Sequence, residues 1–199
     1  MKQKELHIIS TGNQTPQAFC EIARLIQNDV SYFHIREKSF TAKEFYDTVM
    51  LLVEGGISLS KIILNDRVDV ACVTGVSGVQ LAYHSLKASL VKKSFPNLRI
   101  GSSVHSVEEL TSAQNEGADY VFFGHIYPTT SKPGLPGRGV KELRIITEVS
   151  KVPVIAIGGI NPSHVKEIID AGASGIALMS GVLEANNPVK MVKEYASKL

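Results

Sequence analysis

Eight short apolar runs alternate with amphipathic stretches along the whole chain, and this alternation sharply limits the folds open to it. The runs read as strands at Leu6–Ser10, Tyr32–Arg36, Lys61–Asn65, Gly78–Ala82, Arg99–Val104, Asp119–Gly124, Pro153–Gly159 and Gly175–Met179. Val121-Phe122-Phe123 and Val154-Ile155-Ala156-Ile157 are apolar at every position, as expected of strands covered on both faces. Between the runs the apolar period becomes helical. Phe19, Ile22, Ala23 and Ile26 mark one face of Pro16–Gln27. Thr41, with Glu44 three residues on, has the capping-box pattern, and Gly55-Gly56 ends that helix. Ser106 with Glu109 opens another helix. Further helical stretches fall at Asp69–Val73, Ser85–Lys93, Val140–Ser150, Pro162–Ala171 and Pro188–Leu199. The longest connection is the Pro/Gly-rich segment His125–Gly139.

Strict strand-then-helix alternation implies parallel strands. Eight such units predict closure into a TIM-type (β/α)8 barrel, a single domain over residues 1–199. That length is close to the lower bound of roughly 200 residues for the fold, so the connections must be short. An open doubly wound sheet is the competing architecture, but no G-x-G-x-x-G follows the first strand.

Composition narrows the function classes. A formal net charge of +2 gives no electrostatic footprint for nucleic acid or a membrane surface. No segment approaches the roughly 20 apolar residues needed to span a bilayer, and the N-terminus lacks a signal-peptide pattern. Cys20 and Cys72 lie in helical patterns without metal-ligand spacing and read as reduced, half-buried thiols. A cytoplasmic setting is expected, and a homo-oligomer remains among the options.

In a barrel of this type, chemistry gathers at the carboxyl ends of the strands. His34, Arg36 and Lys38 fall there after the second run, and Asn65, Asp66 and Arg67 after the third. Gln80 lies near the end of the fourth, Ser102, Ser103 and His105 follow the fifth, and His125 follows the sixth. Gly158-Gly159 ends the seventh run and Ser180-Gly181 the eighth. Small residues at these last two ends let backbone N–H groups approach an anion, which predicts a phosphate site. Arg36 and Lys38, two apart on an extended segment, face the same way and suit a second anionic group such as a carboxylate. Asp66 and Asp69 are weak evidence for a metal, and Asp66 is suited to orient Arg36 or Lys38. Among the histidines, His125 is the acid/base candidate, because it stands where a strand meets the longest loop. His7 is expected to pack inside the barrel and His84 and His164 to lie on the surface, with His34 and His105 nearer the mouth.

The segments HIREK, NDRVDVA, GVQLA, GSSVHSVEEL, GADYVFFGHIYPTTSK, VPVIAIGGI and AGASGIALMSGV resemble, in order, the thiamine phosphate synthase superfamily. That superfamily contains the magnesium-dependent synthase, which joins a pyrimidine diphosphate to a thiazole phosphate, and the thiazole tautomerases. This sequence departs from the synthase pattern at three places. His34 stands where the synthase has Gln, Ser85 where it has an acidic metal ligand, and Gly124-His125 where it reads G-P. Asp66 matches the remaining metal ligand, and Lys132 matches a synthase lysine on the loop. A histidine after strand six in a G-H motif is the tautomerase pattern.

The resemblance therefore implies a cofactor-independent thiazole tautomerase. It would convert a carboxylated 5-ylidene-dihydrothiazole ethyl phosphate to the aromatic carboxythiazole phosphate, with no metal. The roles it implies are His125 as acid/base and Gly159, Ser180 and Gly181 as phosphate binders. Arg36 and Lys38 would hold the carboxylate, Ser103 and His105 the ring, and Lys132 would contact substrate from the loop. Thiamine phosphate synthase itself, or a non-catalytic sensor of thiazole phosphate, are the alternatives to be separated.

Overall fold

The computed structural model describes residues 3–199. Eight parallel strands close on themselves in sequence order: β1 (Glu5–Ile9), β2 (Tyr32–Ile35), β3 (Ile62–Asn65), β4 (Gly78–Leu81), β5 (Arg99–Val104), β6 (Tyr120–Gly124), β7 (Val154–Ile157) and β8 (Gly175–Leu178). Closure is made where β8 pairs with β1, with Glu5 opposite Gly175 and Ile8 opposite Leu178. The helices are α1 (Pro16–Ile26), α2 (Ala42–Glu54), α3 (Val68–Thr74), α4 (Ala88–Ser94), α5 (Val107–Asn115), α6 (Gly139–Val149), α7 (Val165–Asp170), α8 (Ser180–Leu183) and α9 (Pro188–Ala196). The TIM (β/α)8 barrel expected from the alternation is thus the observed fold.

Strand periodicity divides the core into two layers. Residues such as Leu6, Ile8, Phe33, Val121 and Phe123 point outward and pack under the helices. Their alternates Ile9, Ile63, Tyr120, Phe122, Ile155 and Ala177 fill the barrel interior. A fully buried side chain of this size stabilises the fold by roughly 1.5–3 kcal/mol. Because the outward and inward sets are both apolar, the runs lack a period of two, which is what made them legible as parallel strands.

Local signals act as the residue chemistry requires. The Thr41 hydroxyl accepts from Glu44 N at 3.3 Å, while Glu44 Oε2 accepts from Thr41 N at 2.7 Å. The helix they open stops at Gly55, and Gly56 follows with φ +90. Ser106 caps α5 by accepting from Glu109 N at 3.2 Å.

Several boundaries differ from expectation. The helix after β4 begins at Ala88, not Ser85, because Ser85 Oγ accepts from Ala82 N at 2.8 Å and closes a turn. Strand seven stops at Ile157, since Gly158 and Gly159 take φ of +98 and +65. Ser180 and Gly181 do not end strand eight; they open the short helix α8. Pro162–His164 forms a 3-10 turn capped by Asn161 before α7. The two thiols are not both half-buried as expected: Cys20 is buried and Cys72 is exposed. Among the described residues no helix is long and apolar enough to cross a membrane.

Candidate active site

The carboxyl ends of the strands surround a cavity of about 910 Å³. Its lining combines the apolar residues Ile9, Phe122, Ile157, Ala177 and Met179 with the polar side chains of Asn65 and Gln80. All nine residues singled out for the site line this one cavity: Arg36, Lys38, Ser103, His105, His125, Lys132, Gly159, Ser180 and Gly181.

His125 follows β6 directly, and its side chain is only 7% exposed. Its backbone is braced by the returning end of the long loop, where Arg138 N donates to His125 O at 2.9 Å and Arg138 Nε to Gly124 O at 3.0 Å. On the next strand, Gly158 leaves room for it, because a Cβ there would collide with the His125 Cβ and Cα. The ring itself meets the loop: Nε2 lies 3.2 Å from Leu135 O. A carbonyl only accepts, so Nε2 carries the hydrogen and donates, and Nδ1 keeps its lone pair. Nδ1 has no hydrogen-bond partner among the described residues.

His105 is oriented differently. Glu109 serves α5 as its third residue, yet its carboxylate turns back to accept from His105 N at 2.7 Å and lies 3.0 Å from His105 Nδ1. This leaves His105 Nε2 facing Lys132 Nζ at 3.5 Å. The sequence pattern marked Glu109 only as a helix-capping residue; its use in aiming His105 is visible only once the ring is placed.

Two groups of residues suited to anions lie on the rim. Gly159 combines φ +65 with close approach: a Cβ would lie 2.5 Å from Tyr127 O and Pro128 O. Ser180 and Gly181 open α8, and the first N–H groups of a helix have no partner within it. Their side chains leave the backbone accessible to an oxyanion. After β2 stand Arg36 and Lys38, neither in an ion pair among the described residues. Arg36 is positioned through its backbone N, which donates to Ser10 Oγ at 2.8 Å. The chain turns at Lys38, so the two cations share the cavity without continuing one extended segment.

Other polar residues fall elsewhere than the sequence suggested. Asp66 does not orient Arg36 or Lys38; it takes φ +66 and lies 3.6 Å from His84 Nε2. Arg67 is held by Asp69 at 2.9 and 2.5 Å. His34 does not lie at the mouth: it is fully buried inside the barrel beside His7, at 2.9 Å. His7 is buried as expected, and His84 is exposed. His164 is more than a surface residue, since it stacks on Tyr127 with ring centroids 3.8 Å apart. The Tyr127 hydroxyl donates to Glu167, and burial followed by that carboxylate pushes the phenol well above its ordinary value. Together these contacts fasten the start of the long loop to α7.

Gln80 and Asn65 were placed near the mouth by sequence but given no role. Both line the cavity; Gln80 is 2% exposed and donates from Nε2 to Ser103 Oγ at 3.1 Å. Gln80 Oε1 and Asn65 Oδ1 have no partner among the described residues.

Sequence comparison matches residues 6–182 to the family described as thiamine monophosphate synthase. The chain belongs to that family. Thiamine-phosphate synthases from Pyrococcus abyssi and Pyrococcus furiosus are 32% and 33% identical over 193 residues, covering 96% of this chain and 92% of each relative. The thiamine phosphate pyrophosphorylase structure from Pyrococcus furiosus superposes with a TM-score of 0.84 at 31% identity, covering 98% of this chain and 94% of that one. A 3-hexulose-6-phosphate synthase from Salmonella typhimurium shares the fold alone, with a TM-score of 0.77 at 14% identity. As a member of the thiamine monophosphate synthase family, the chain is an enzyme of thiamine biosynthesis.

Within the family the magnesium question turns on donor chemistry. Where the resemblance expects a second acidic ligand stands Ser85, whose hydroxyl accepts from Ala82 N and which does not line the cavity. Among the described residues no group of three or more His, Cys, Asp or Glu could hold a metal ion. Asp66, beside an exposed imidazole, is a single carboxylate, whereas magnesium is held by one or two carboxylates together with substrate phosphates and water.

Proposed function

We propose that the protein is a thiazole tautomerase, acting without metal or organic cofactor. The observation that carries this reading is His125: a buried imidazole in the cavity wall, with Nε2–H committed to Leu135 O and Nδ1 left basic. The substrate is a carboxylated dihydrothiazole with an exocyclic double bond and an ethyl phosphate. His125 takes the ring C2 proton and returns a proton to the exocyclic carbon. One bond to hydrogen breaks at C2, one forms at the exocyclic carbon, and the electron pairs between them shift to give the aromatic ring. Aromatisation supplies the driving force, so the enzyme needs only to lower a proton-transfer barrier.

The remaining residues bind and orient. Gly159, Ser180 and Gly181 offer backbone N–H groups to the phosphate. Arg36 and Lys38, with no ion-pair partner among the described residues, suit the substrate carboxylate. The apolar lining residues accommodate the ring, flanked by Ser103, His105 and Lys132. Turnover of the dihydrothiazole, followed by thiazole absorbance, tests the reading; lack of acceleration over the uncatalysed rate overturns it.

A second reading is favoured by the names of the relatives, which are synthases. It requires condensation of a pyrimidine diphosphate with a thiazole phosphate in the presence of magnesium. The Ser85 turn and the Asp66–His84 pair weigh against it. A coupled assay with both substrates and magnesium discriminates the two.

A further inference from the structure

Under the cavity floor lies a chain of polar groups that the proposed reaction does not use. Arg99 donates to Glu5 Oε1 at 3.1 Å and Oε2 at 3.0 Å, at the amino-terminal end of the barrel. Glu5 Oε2 lies 2.8 Å from His7 Nε2, and His7 Nδ1 lies 2.9 Å from His34 Nε2. His34 Nδ1, at the top of the chain, has no hydrogen-bond partner among the described residues; neither has Asn65 Oδ1. Asn65 faces the His34 ring from the end of β3 and lines the cavity above it. Both histidines are fully buried among Tyr32, Tyr120 and Phe122, with Arg99 stacked over the two tyrosines.

We propose that His34 is a positioning residue: the Glu5–His7–His34 chain fixes its tautomer so that Nδ1 accepts from the Asn65 amide, turning the Asn65 carbonyl toward the bound ligand. Proton accounting along the chain gives this result. A carboxylate gripped by Arg99 only accepts, so His7 Nε2 carries a hydrogen. Burial disfavours a charge on His7, an effect only partly offset by Glu5, so the ring is neutral and its Nδ1 is bare. His34 must then donate from Nε2. Burial, reinforced by His7 and Arg99, keeps His34 neutral as well, leaving its Nδ1 a bare acceptor.

A buried acceptor facing the Asn65 carbonyl would leave two lone pairs opposed and two groups unsatisfied, at about 1–3 kcal/mol each. Rotating the amide by half a turn, a change nearly without effect on its shape, sets Nδ2–H against His34 Nδ1. The released carbonyl then stands beside Gln80 Oε1, since Asn65 and Gln80 are register partners across β3 and β4. The floor thereby presents two amide carbonyls, a site for a ligand group that donates hydrogen bonds.

This inference rests on the barrel mouth being the ligand site, not on which reaction occurs there. The direct test is two-bond nitrogen–proton correlation on protein carrying ¹⁵N-histidine, free of ligand at neutral pH. Both His7 and His34 should show the neutral tautomer protonated at Nε2. A His34 resonance protonated at Nδ1, or a charged ring, overturns the proposal whatever the catalytic activity. Binding of an aminopyrimidine diphosphate, whose amino group donates hydrogen bonds, gives the second arm. His34→Phe should weaken it roughly tenfold, the loss expected for one hydrogen bond of about 1.4 kcal/mol, and His34→Gln should restore it through an amide acceptor. Equal affinity in wild type and His34→Phe contradicts the positioning role. No binding by the wild type, with the expected tautomers present, defeats the site reading instead.

Discussion

His125 donates from Nε2 to the carbonyl oxygen of Leu135, 3.2 Å away on the long loop, and this one contact decides which ring nitrogen remains basic. In the proposed reaction the loop would act through a backbone carbonyl, which no residue pattern in the loop could announce. Replacing His125 with Asn removes the base while keeping a small polar side chain. Turnover should fall roughly 100-fold or more, with an unchanged circular dichroism spectrum. Near-normal turnover in that variant would remove His125 from its assigned role.

Glu109 aims His105 from one helical turn away, with Oε2 3.0 Å from Nδ1. Its carboxylate is not itself among the residues lining the cavity. Glu109→Ala should lower kcat/KM about three- to tenfold, corresponding to roughly 1 kcal/mol of lost orientation. Thermal stability should change little, because Ser106 still caps α5. An unaltered kcat/KM would show that the His105 ring needs no such support.

Gly159 is held at φ +65 with Tyr127 O and Pro128 O within 2.5 Å of where a Cβ would stand. Gly159→Ala therefore strains the backbone by about 1–3 kcal/mol and displaces its N–H. KM for the phosphate ester should rise at least several-fold, and inorganic phosphate should lose its ability to compete. Unchanged KM and unchanged competition by phosphate would place the phosphate elsewhere.

The sequence made the barrel legible because its signal is redundant: eight apolar runs, caps at Thr41 and Ser106, and small residues closing the last strands. The rim was legible residue by residue, since a strand end fixes which side chains reach the mouth. What escaped was anything set by side-chain direction across strands. His34 read as a rim residue because it precedes Arg36 by two positions, yet it belongs to the inward layer and meets His7 from the neighbouring strand. Asp66 read as a partner for Arg36, but its positive φ turns it to His84. Glu109 concealed a second role behind a capping motif. Short helices such as α8 also lack enough residues to show a period.

The buried histidines make stability depend on pH. His7 and His34 have folded pKa values below the ordinary 6.5, chiefly because burial disfavours their charged forms. The unfolded chain therefore takes up protons that the folded chain refuses as pH falls below about 6.5, and stability is lost over that range. Glu5 acts at lower pH. Burial raises it, but the His7 hydrogen bond and charge together with Arg99 outweigh burial and hold it below 4.5. Its contribution is complete above 4.5 and disappears as pH falls through the folded value. Tm should thus decline from pH 7 to pH 5 before the carboxylates titrate, and His34→Gln should flatten that decline. A Tm independent of pH over this interval contradicts neutral buried histidines.

The identity of the reaction is tested most directly by presenting the purified protein with each substrate set separately. One reaction contains the carboxylated dihydrothiazole phosphate alone; the other contains pyrimidine diphosphate, thiazole phosphate and magnesium. The account predicts rapid appearance of aromatic thiazole absorbance in the first, lost on His125→Asn, and no enzymatic condensation in the second. Efficient formation of thiamine phosphate in the second, with no acceleration in the first, would contradict it.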